Sequence, residues 1–306
     1  MPSRPWTAAD APDLSGRTAV VTGANSGLGL ETTRELARKG ARVVMACRNR
    51  DKAERARDDV RRDVPDADLD VEILDLARLG SVRDFAERFS GRLDALYCNA
   101  GIMAIPRSET DDGFETQFGV NVLGHFALVG RLLDALLSTD GSRVVWVSSL
   151  AAWSGSIAFG DLQGRESYSR WGAYNQSKLA DLMLALEMNR RLQNAGSTTL
   201  SLAAHPGLSN TNLQQTSAEK SGSAVEKALY ALGMDRIAMT AAEGALPQLR
   251  AGTDPFARGG AFYGPKHRMR GVPVEVNPPG RALGLGQRAH LWAECERLTG
   301  VPMLSD

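Results

Sequence analysis

A chain of 306 residues that is 43% hydrophobic can bury a core large enough for a substantial α/β domain. Lysine plus arginine and aspartate plus glutamate both number 36, so the net charge is zero and the basic excess expected of a nucleic-acid binder is absent. Cys47, Cys98 and Cys295 are far apart with no Cys-x-x-Cys pair, and the four histidines do not cluster, which speaks against a disulfide framework or a metal site.

Residues 1–12 are polar and proline-containing, with no apolar core of signal-peptide length. No apolar run reaches the roughly 18–20 residues of a membrane span. The expectation is a soluble, cytoplasmic protein. Residues 17–30 then read as a β-branched strand (Thr18–Thr22), a turn with Gly23, Gly27 and Gly29, and the start of a helix. That order makes an anion site, because helix N-terminal N–H groups face a phosphate and missing Cβ atoms let it approach. The spacing is Gly-x-x-x-Gly-x-Gly, not the Gly-x-Gly-x-x-Gly of the standard dinucleotide fingerprint, and a lone glycine turn also serves as a tight connection.

Ala41–Cys47 reads as the second strand, followed by a charged helix whose outer face is solvated. The end of a second strand is where dinucleotide folds meet the adenosine ribose. A carboxylate there bonds the 2′-hydroxyl, whereas an arginine accommodates a 2′-phosphate. Arg48 stands at that place, which selects NADP(H) over NAD(H). Asp70–Leu74 is a third strand delivering Asp75 and Leu76, and Leu93–Cys98 a fourth ending in Asn99-Ala100-Gly101. Strands alternating with helices predict a single doubly wound parallel sheet of about seven strands, Rossmann-type, with ligands beyond the strand carboxyl ends. Asp111–Leu137 reads as one long helix with Asn121 in its middle, where an asparagine is unfavourable without a local role. Arg143–Val147 ends in Ser148-Ser149, and a helix from Tyr168 to about Gln193 carries Tyr174 and Lys178. A sixth strand ends in His205-Pro206-Gly207. Further helices are expected over 214–237, 240–249 and 287–299, and a seventh strand over 260–263. The whole reads as one domain with its core over 14–300 and a mobile substrate-side element over 208–238.

Tyr174 and Lys178 lie four apart, on one helix face. A free phenol titrates near 10, and a nearby ammonium favours its ionised form, which suits acid–base work at neutral pH. Ser149 can hold a substrate oxygen whose charge changes. Such a trio suits hydride transfer at a carbonyl, with the proton supplied by Tyr174. Tyr-x-x-x-Lys alone is common; the combination with the glycine turn, Asn-Ala-Gly and Ser-Ser is not.

Taken together, these motifs resemble the short-chain dehydrogenase/reductase family over about residues 14–300. The turn from Thr22 through Gly23, Asn25, Ser26, Gly27, Leu28 and Gly29 matches its cofactor turn, Asp75 its adenine-side aspartate and Asn99-Ala100-Gly101 its sheet-stabilising motif. Asn121, Ser149, Tyr174 and Lys178 match its catalytic tetrad, and Pro206, Gly207 and Thr211 the motif closing over the nicotinamide. The resemblance implies that Lys178 also binds the nicotinamide ribose and that Asn121 holds a water leading to it. It also implies that the helices over 111–137 and 168–193 correspond to a dimer-forming pair. Cys98 stands where many members carry asparagine. Retinol-dehydrogenase-like and protochlorophyllide-reductase-like members are the most similar branch, through Asn121–Phe126, Val147–Ala152 and Gly260–Pro265. The expected reaction interconverts a carbonyl and an alcohol on a lipophilic small molecule with NADP(H). A cofactor-sensing module without turnover, or reduction of a carbon–carbon double bond, stand as alternatives. The long interval between Ser149 and Tyr174 holds Trp153, Ile157, Phe159, Tyr168 and Trp171, which either wall an enlarged pocket or pack the insertion onto the sheet. His125 and His205 read as packed side chains rather than acids or bases.

Overall fold

The computed structural model describes residues 4–209 and 238–305. Its first strand, β1 (Thr18–Thr22), is buried at every position, as a strand covered on both faces must be. There follow α1 (Gly27–Arg38), β2 (Arg42–Cys47), α2 (Arg50–Asp63), β3 (Leu69–Ile73), α3 (Leu79–Arg88) and β4 (Ala95–Cys98). The chain continues through α4 (Thr116–Phe118), a π-helical turn (Gly119–Leu123), α5 (Gly124–Arg131), α6 (Leu133–Leu137) and β5 (Arg143–Val147). It closes with α7 (Arg170–Asn194), β6 (Leu200–Ala204), α8 (Ala241–Thr253), β7 (Phe262–Pro265), β8 (Pro273–Glu275) and α9 (Leu285–Thr299).

The strands form one sheet in the order β3-β2-β1-β4-β5-β6-β7-β8. Every neighbouring pair is parallel except β7 and β8. The eighth strand exceeds the expected seven. It is three residues long and begins with a proline, which an edge position tolerates because no donor is needed on its outer side. Alternation along each strand sends side chains to opposite faces. Val20, Val44, Leu96, Val144 and Trp146 build one core with α5, α7 and α9, where Phe126 meets Trp292 edge to face at 5.1 Å. Val21, Val43, Met45, Tyr97 and Val145 build the other with α1, α2 and α8.

From β1 the chain passes to β2 on one side and later to β4 on the other. The strand order therefore reverses beside β1, and a crevice opens at the carboxyl ends of β1 and β4.

The stretch expected as one helix over 111–137 is different. It begins at Thr116 and widens into the π turn that contains Asn121. A glycine at each side allows this. A Cβ on Gly119 would lie 2.7 Å from Thr110 Cγ2, and one on Gly124 would lie 2.5 Å from the Leu76 carbonyl oxygen. The expected helix over 214–237 lies outside the described residues.

Candidate active site

The glycine turn takes the form its residues predict. Gly23 and Gly27 have φ of +67° and +54°, the left-handed region that glycine enters without strain. A Cβ on Gly29 would fall 2.4 Å from the Gly23 carbonyl oxygen, so only hydrogen allows α1 to start this close to β1. Ser26 is the N-cap of α1 but its side chain caps nothing, which leaves the first-turn N–H groups around Leu28 for an anion. Asn25 and Ser26 are half-buried on the same turn. Beneath it, burial pushes the Cys47 thiol up to about 12 despite hydrogen bonds from the Ala24 and Asn25 backbone, so Cys47 is a packed thiol. Arg48 follows β2, exposed, and among the described residues no side chain pairs with its guanidinium.

Asp75 and Leu76 end the β3 segment. The Asp75 carboxylate accepts from the Ala77 N–H at 3.1 Å, which shapes the turn, and Leu76 is buried against Gly124. Asn99, Ala100 and Gly101 leave β4 beside β1. The N–H groups of Asn99 and Ala100 both donate to Thr22 Oγ1 at 2.9 Å, and Asn99 Nδ2 donates to the Thr22 carbonyl at 2.8 Å. Gln248 of α8, missed in the sequence reading, donates from Nε2 to Asn99 Oδ1 at 3.1 Å and to Thr32 Oγ1 at 2.6 Å.

Asn121 is fully buried, with its amide turned to the Gly101 side. Oδ1 accepts from the Ile102 N–H at 2.9 Å; Nδ2 donates to the Ile102 carbonyl at 3.0 Å and to Ser177 Oγ at 2.9 Å. A Cβ built on Gly101 would lie 3.2 Å from Asn121 Oδ1 and 3.7 Å from Lys178 Nζ, which brings the β4 turn, the π turn and α7 to one point. Ser148 Oγ donates to the Lys178 carbonyl at 2.6 Å and so ties β5 to α7. Ser149 is half-exposed and accepts from the Ala151 N–H at 3.2 Å. Tyr174 is 7% exposed, and its ring and that of Trp171 meet edge to face with centroids 6.2 Å apart.

Lys178 is buried and its ammonium donates to the Val147 carbonyl at 2.9 Å and to Asp181 Oδ2 at 2.8 Å. Burial works against its charge, but Asp181 and Tyr174 outweigh that and hold it above the ordinary lysine value. Asp181 was not among the expected residues. Burial pushes its carboxyl up to about 6 even with the Lys178 ammonium attached.

His125 joins these elements. Its Nδ1 lies 2.9 Å from the Asn121 carbonyl and its Nε2 2.9 Å from Thr22 Oγ1. A carbonyl only accepts, so Nδ1 carries the proton and Nε2 takes the Thr22 hydroxyl hydrogen. Burial lowers the imidazole to about 4, which keeps it neutral. His205 is likewise lowered to about 4 by burial and is packed between Trp153 and Phe262. Both histidines are thus buried and packed, as the sequence reading expects. Their neutral forms stabilise the fold above about pH 6.5, and that contribution is lost as pH falls toward 4, up to about 3 kcal/mol each. Asp181 and Glu115, whose carboxyls burial raises, oppose this in the same window. The melting curve therefore sums opposing contributions, and the direct reading is an NMR titration in which both imidazoles are expected to stay neutral in the folded protein well below pH 6.5. Titration of either imidazole at or above its ordinary value would refute its assignment as neutral.

Gly207 has φ +68°, and a Cβ there would lie 2.5 Å from the Met269 carbonyl oxygen, so the β6 end packs on the β7–β8 hairpin. Pro206 accepts from Ser209 Oγ at 2.8 Å. Thr211 and most of the element expected over 208–238 lie outside the described residues. In the Ser149–Tyr174 insertion, Trp153 stacks on Phe262 at 5.5 Å and Phe159 on His290 at 4.2 Å. Tyr168 Oη donates to the Ile105 carbonyl at 3.0 Å and Ile157 packs on the first core. Trp171 differs, being 41% exposed beside Tyr174. Packing therefore explains four of these residues, and Trp171 is left at the site.

Among the described residues no group of three or more His, Cys, Asp or Glu side chains is placed to hold a metal ion. No described helix is long and apolar enough to cross a membrane.

Similarity to known proteins agrees with this geometry. The chain is 48% identical over 198 residues to mouse retinol dehydrogenase 12, covering 64% of this chain and 62% of that one. It is 45% identical over 204 residues to human retinol dehydrogenase 13, covering 65% and 61%. The aligned part thus spans about three-fifths of those relatives. A crystal structure of a Mycobacterium paratuberculosis protein superposes with a TM-score of 0.82 at 44% identity, covering 98% of this chain and all of the other. A short chain dehydrogenase of Shigella flexneri, solved with NADP, shares the fold at a TM-score of 0.63 and 24% identity, covering 82% of this chain and 98% of that one. The family model for short chain dehydrogenases matches residues 17–222, well over half of the sequence and the part that builds the glycine turn, the π turn and α7. The chain belongs to the short chain dehydrogenase family.

Proposed function

We propose that the protein is an NADP(H)-dependent oxidoreductase that interconverts a carbonyl and an alcohol on a lipophilic small molecule. The observation that carries this reading is the meeting of Gly101, Asn121 and Lys178 within a few ångströms at the carboxyl end of β4 and β5, with Tyr174 one helical turn before the lysine. The retinol dehydrogenases among its relatives support a lipophilic alcohol or aldehyde.

The residues present fit a nicotinamide dinucleotide. Gly23 through Gly29 and the uncapped start of α1 suit the pyrophosphate, Arg48 the 2′-phosphate, Asp75 and Leu76 the adenine. Asn99, Ala100 and Gly101 would line its path, Lys178 would hold the nicotinamide ribose, and Pro206 and Gly207 would face the ring, with Thr211 assigned there by the resemblance alone. Such a cofactor supplies the hydride. Ser149 Oγ orients the substrate oxygen, and Tyr174 gives that oxygen its proton in reduction and takes it back in oxidation. Lys178 supplies positive potential beside the phenol, and Asn121 holds the path by which a proton is returned from solvent. The test is turnover of NADPH with a panel of lipophilic aldehydes and ketones by the purified chain. Consumption of cofactor with formation of the alcohol is expected; tight binding without turnover across the panel would favour a cofactor sensor.

A further inference from the structure

Most of the side chains around Lys178 are accounted for by the proposed reaction or by packing, but Asp181 is not. It is 2% exposed, its Oδ2 accepts from the Lys178 ammonium at 2.8 Å, and its Oδ1 is buried with no hydrogen-bond partner among the described residues. A buried carboxylate left half-unsatisfied costs stability, and nothing in the packing of α7 requires one. An ammonium has three donors. Two are committed here, to Asp181 and to the Val147 carbonyl, which leaves one for the site above.

We propose that Asp181 is a positioning residue that pins the Lys178 ammonium and keeps it charged in a fully buried place. This rests on the reading of Lys178 as part of the hydride-transfer site. The other groups facing the pair cannot substitute for Asp181. From α7 itself there is Tyr174, from β4 Cys98, from α9 Cys295, and from α5 His125. Burial raises both thiols, so they are neutral, and His125 is a neutral imidazole. The phenol of Tyr174 is a proton donor in reduction and cannot serve as a fixed counter-charge. At neutral and alkaline pH, Asp181 is then the standing negative charge at the ammonium. Without it, burial is opposed by Tyr174 and the Val147 carbonyl with no standing counter-charge, and a buried lysine in that position sheds its proton more readily.

Asp181→Asn tests this because it keeps the shape and removes the charge. Relative to wild type, kcat/KM is expected to fall at least about tenfold further at about pH 9 than at about pH 6, as the lysine loses its proton within the assayed range. A loss by the same factor at every pH would mark a merely structural residue and overturn the proposal, as would an unchanged profile. Should the variant fail to fold, the wild-type protein gives the answer through the NMR titration of its lysine side-chain carbons. Lys178 is expected to titrate above the ordinary lysine value; a titration below it would overturn the proposal. That readout needs no turnover, so it fails or succeeds independently of the reaction assigned to the site. Conversely, if turnover is absent in wild type while Lys178 titrates high, the reaction is wrong and the ion pair stands.

Discussion

Tyr174→Phe is expected to lower carbonyl turnover by about 10²–10⁴-fold while leaving the dissociation constant for NADPH within a few-fold of wild type. The substitution removes one oxygen and keeps the ring. That residue is buried on the first turns of α7, its ring edge to face with Trp171, and its packing survives the change. On the proposed mechanism the lost function is therefore proton transfer alone, which a positioned acid supplies and bulk water replaces poorly. Lys178→Ala is the informative contrast. On the proposed mechanism it removes both the potential beside the phenol and a donor to the cofactor ribose, and it leaves Asp181 buried without its partner, so turnover, cofactor affinity and stability should all fall. Stopped-flow turnover and a fluorescence titration of NADPH separate the two variants. Wild-type turnover by Tyr174→Phe would remove the phenol from the mechanism.

The second large effect concerns cofactor choice. Arg48→Ala should weaken NADPH by about 10- to 100-fold and NADH hardly at all, because a charge-assisted contact to phosphate contributes about 1.5–3 kcal/mol. The geometry favours this. Arg48 lies just past β2 at the strand's carboxyl end, exposed, and among the described residues no carboxylate holds it in place. Neighbouring arginines behave otherwise: Arg50 lies 3.7 Å from Glu54, and Arg42 pairs with Asp70 at 2.7 Å. Raising the salt concentration should narrow the NADPH preference of the wild type, since an exposed charge contact is screened. Equal losses for both cofactors in Arg48→Ala would contradict the phosphate assignment.

Much of this was legible in the sequence because its signals are local. The β-branched runs, the glycine turn and the Tyr-x-x-x-Lys spacing each depend on residues close together, and the structure places them as expected within a few positions. What escaped depends on contacts between distant elements. The π turn at Asn121 arises where Gly119 meets Thr110 and Gly124 meets Leu76, and no helical period records that. The His125 imidazole holds the Asn121 carbonyl and reaches Thr22 across 103 positions of sequence. Gln248 reaches Asn99 and Thr32 from α8. Asp181 is the exception, since its spacing of three from Lys178 was visible; a carboxylate one turn past a candidate catalytic lysine, among apolar neighbours, was the available signal.

The fate of the hydride is the most direct test of the whole account. NADPH carrying deuterium at the transferable position of its nicotinamide is incubated with the protein and an aldehyde that also contains a conjugated double bond, and the product is read by mass spectrometry and NMR. One deuterium on the carbinol carbon of the alcohol is the expected result. Deuterium on a former olefinic carbon, or none in any product while the cofactor stays bound, would contradict carbonyl reduction at this site.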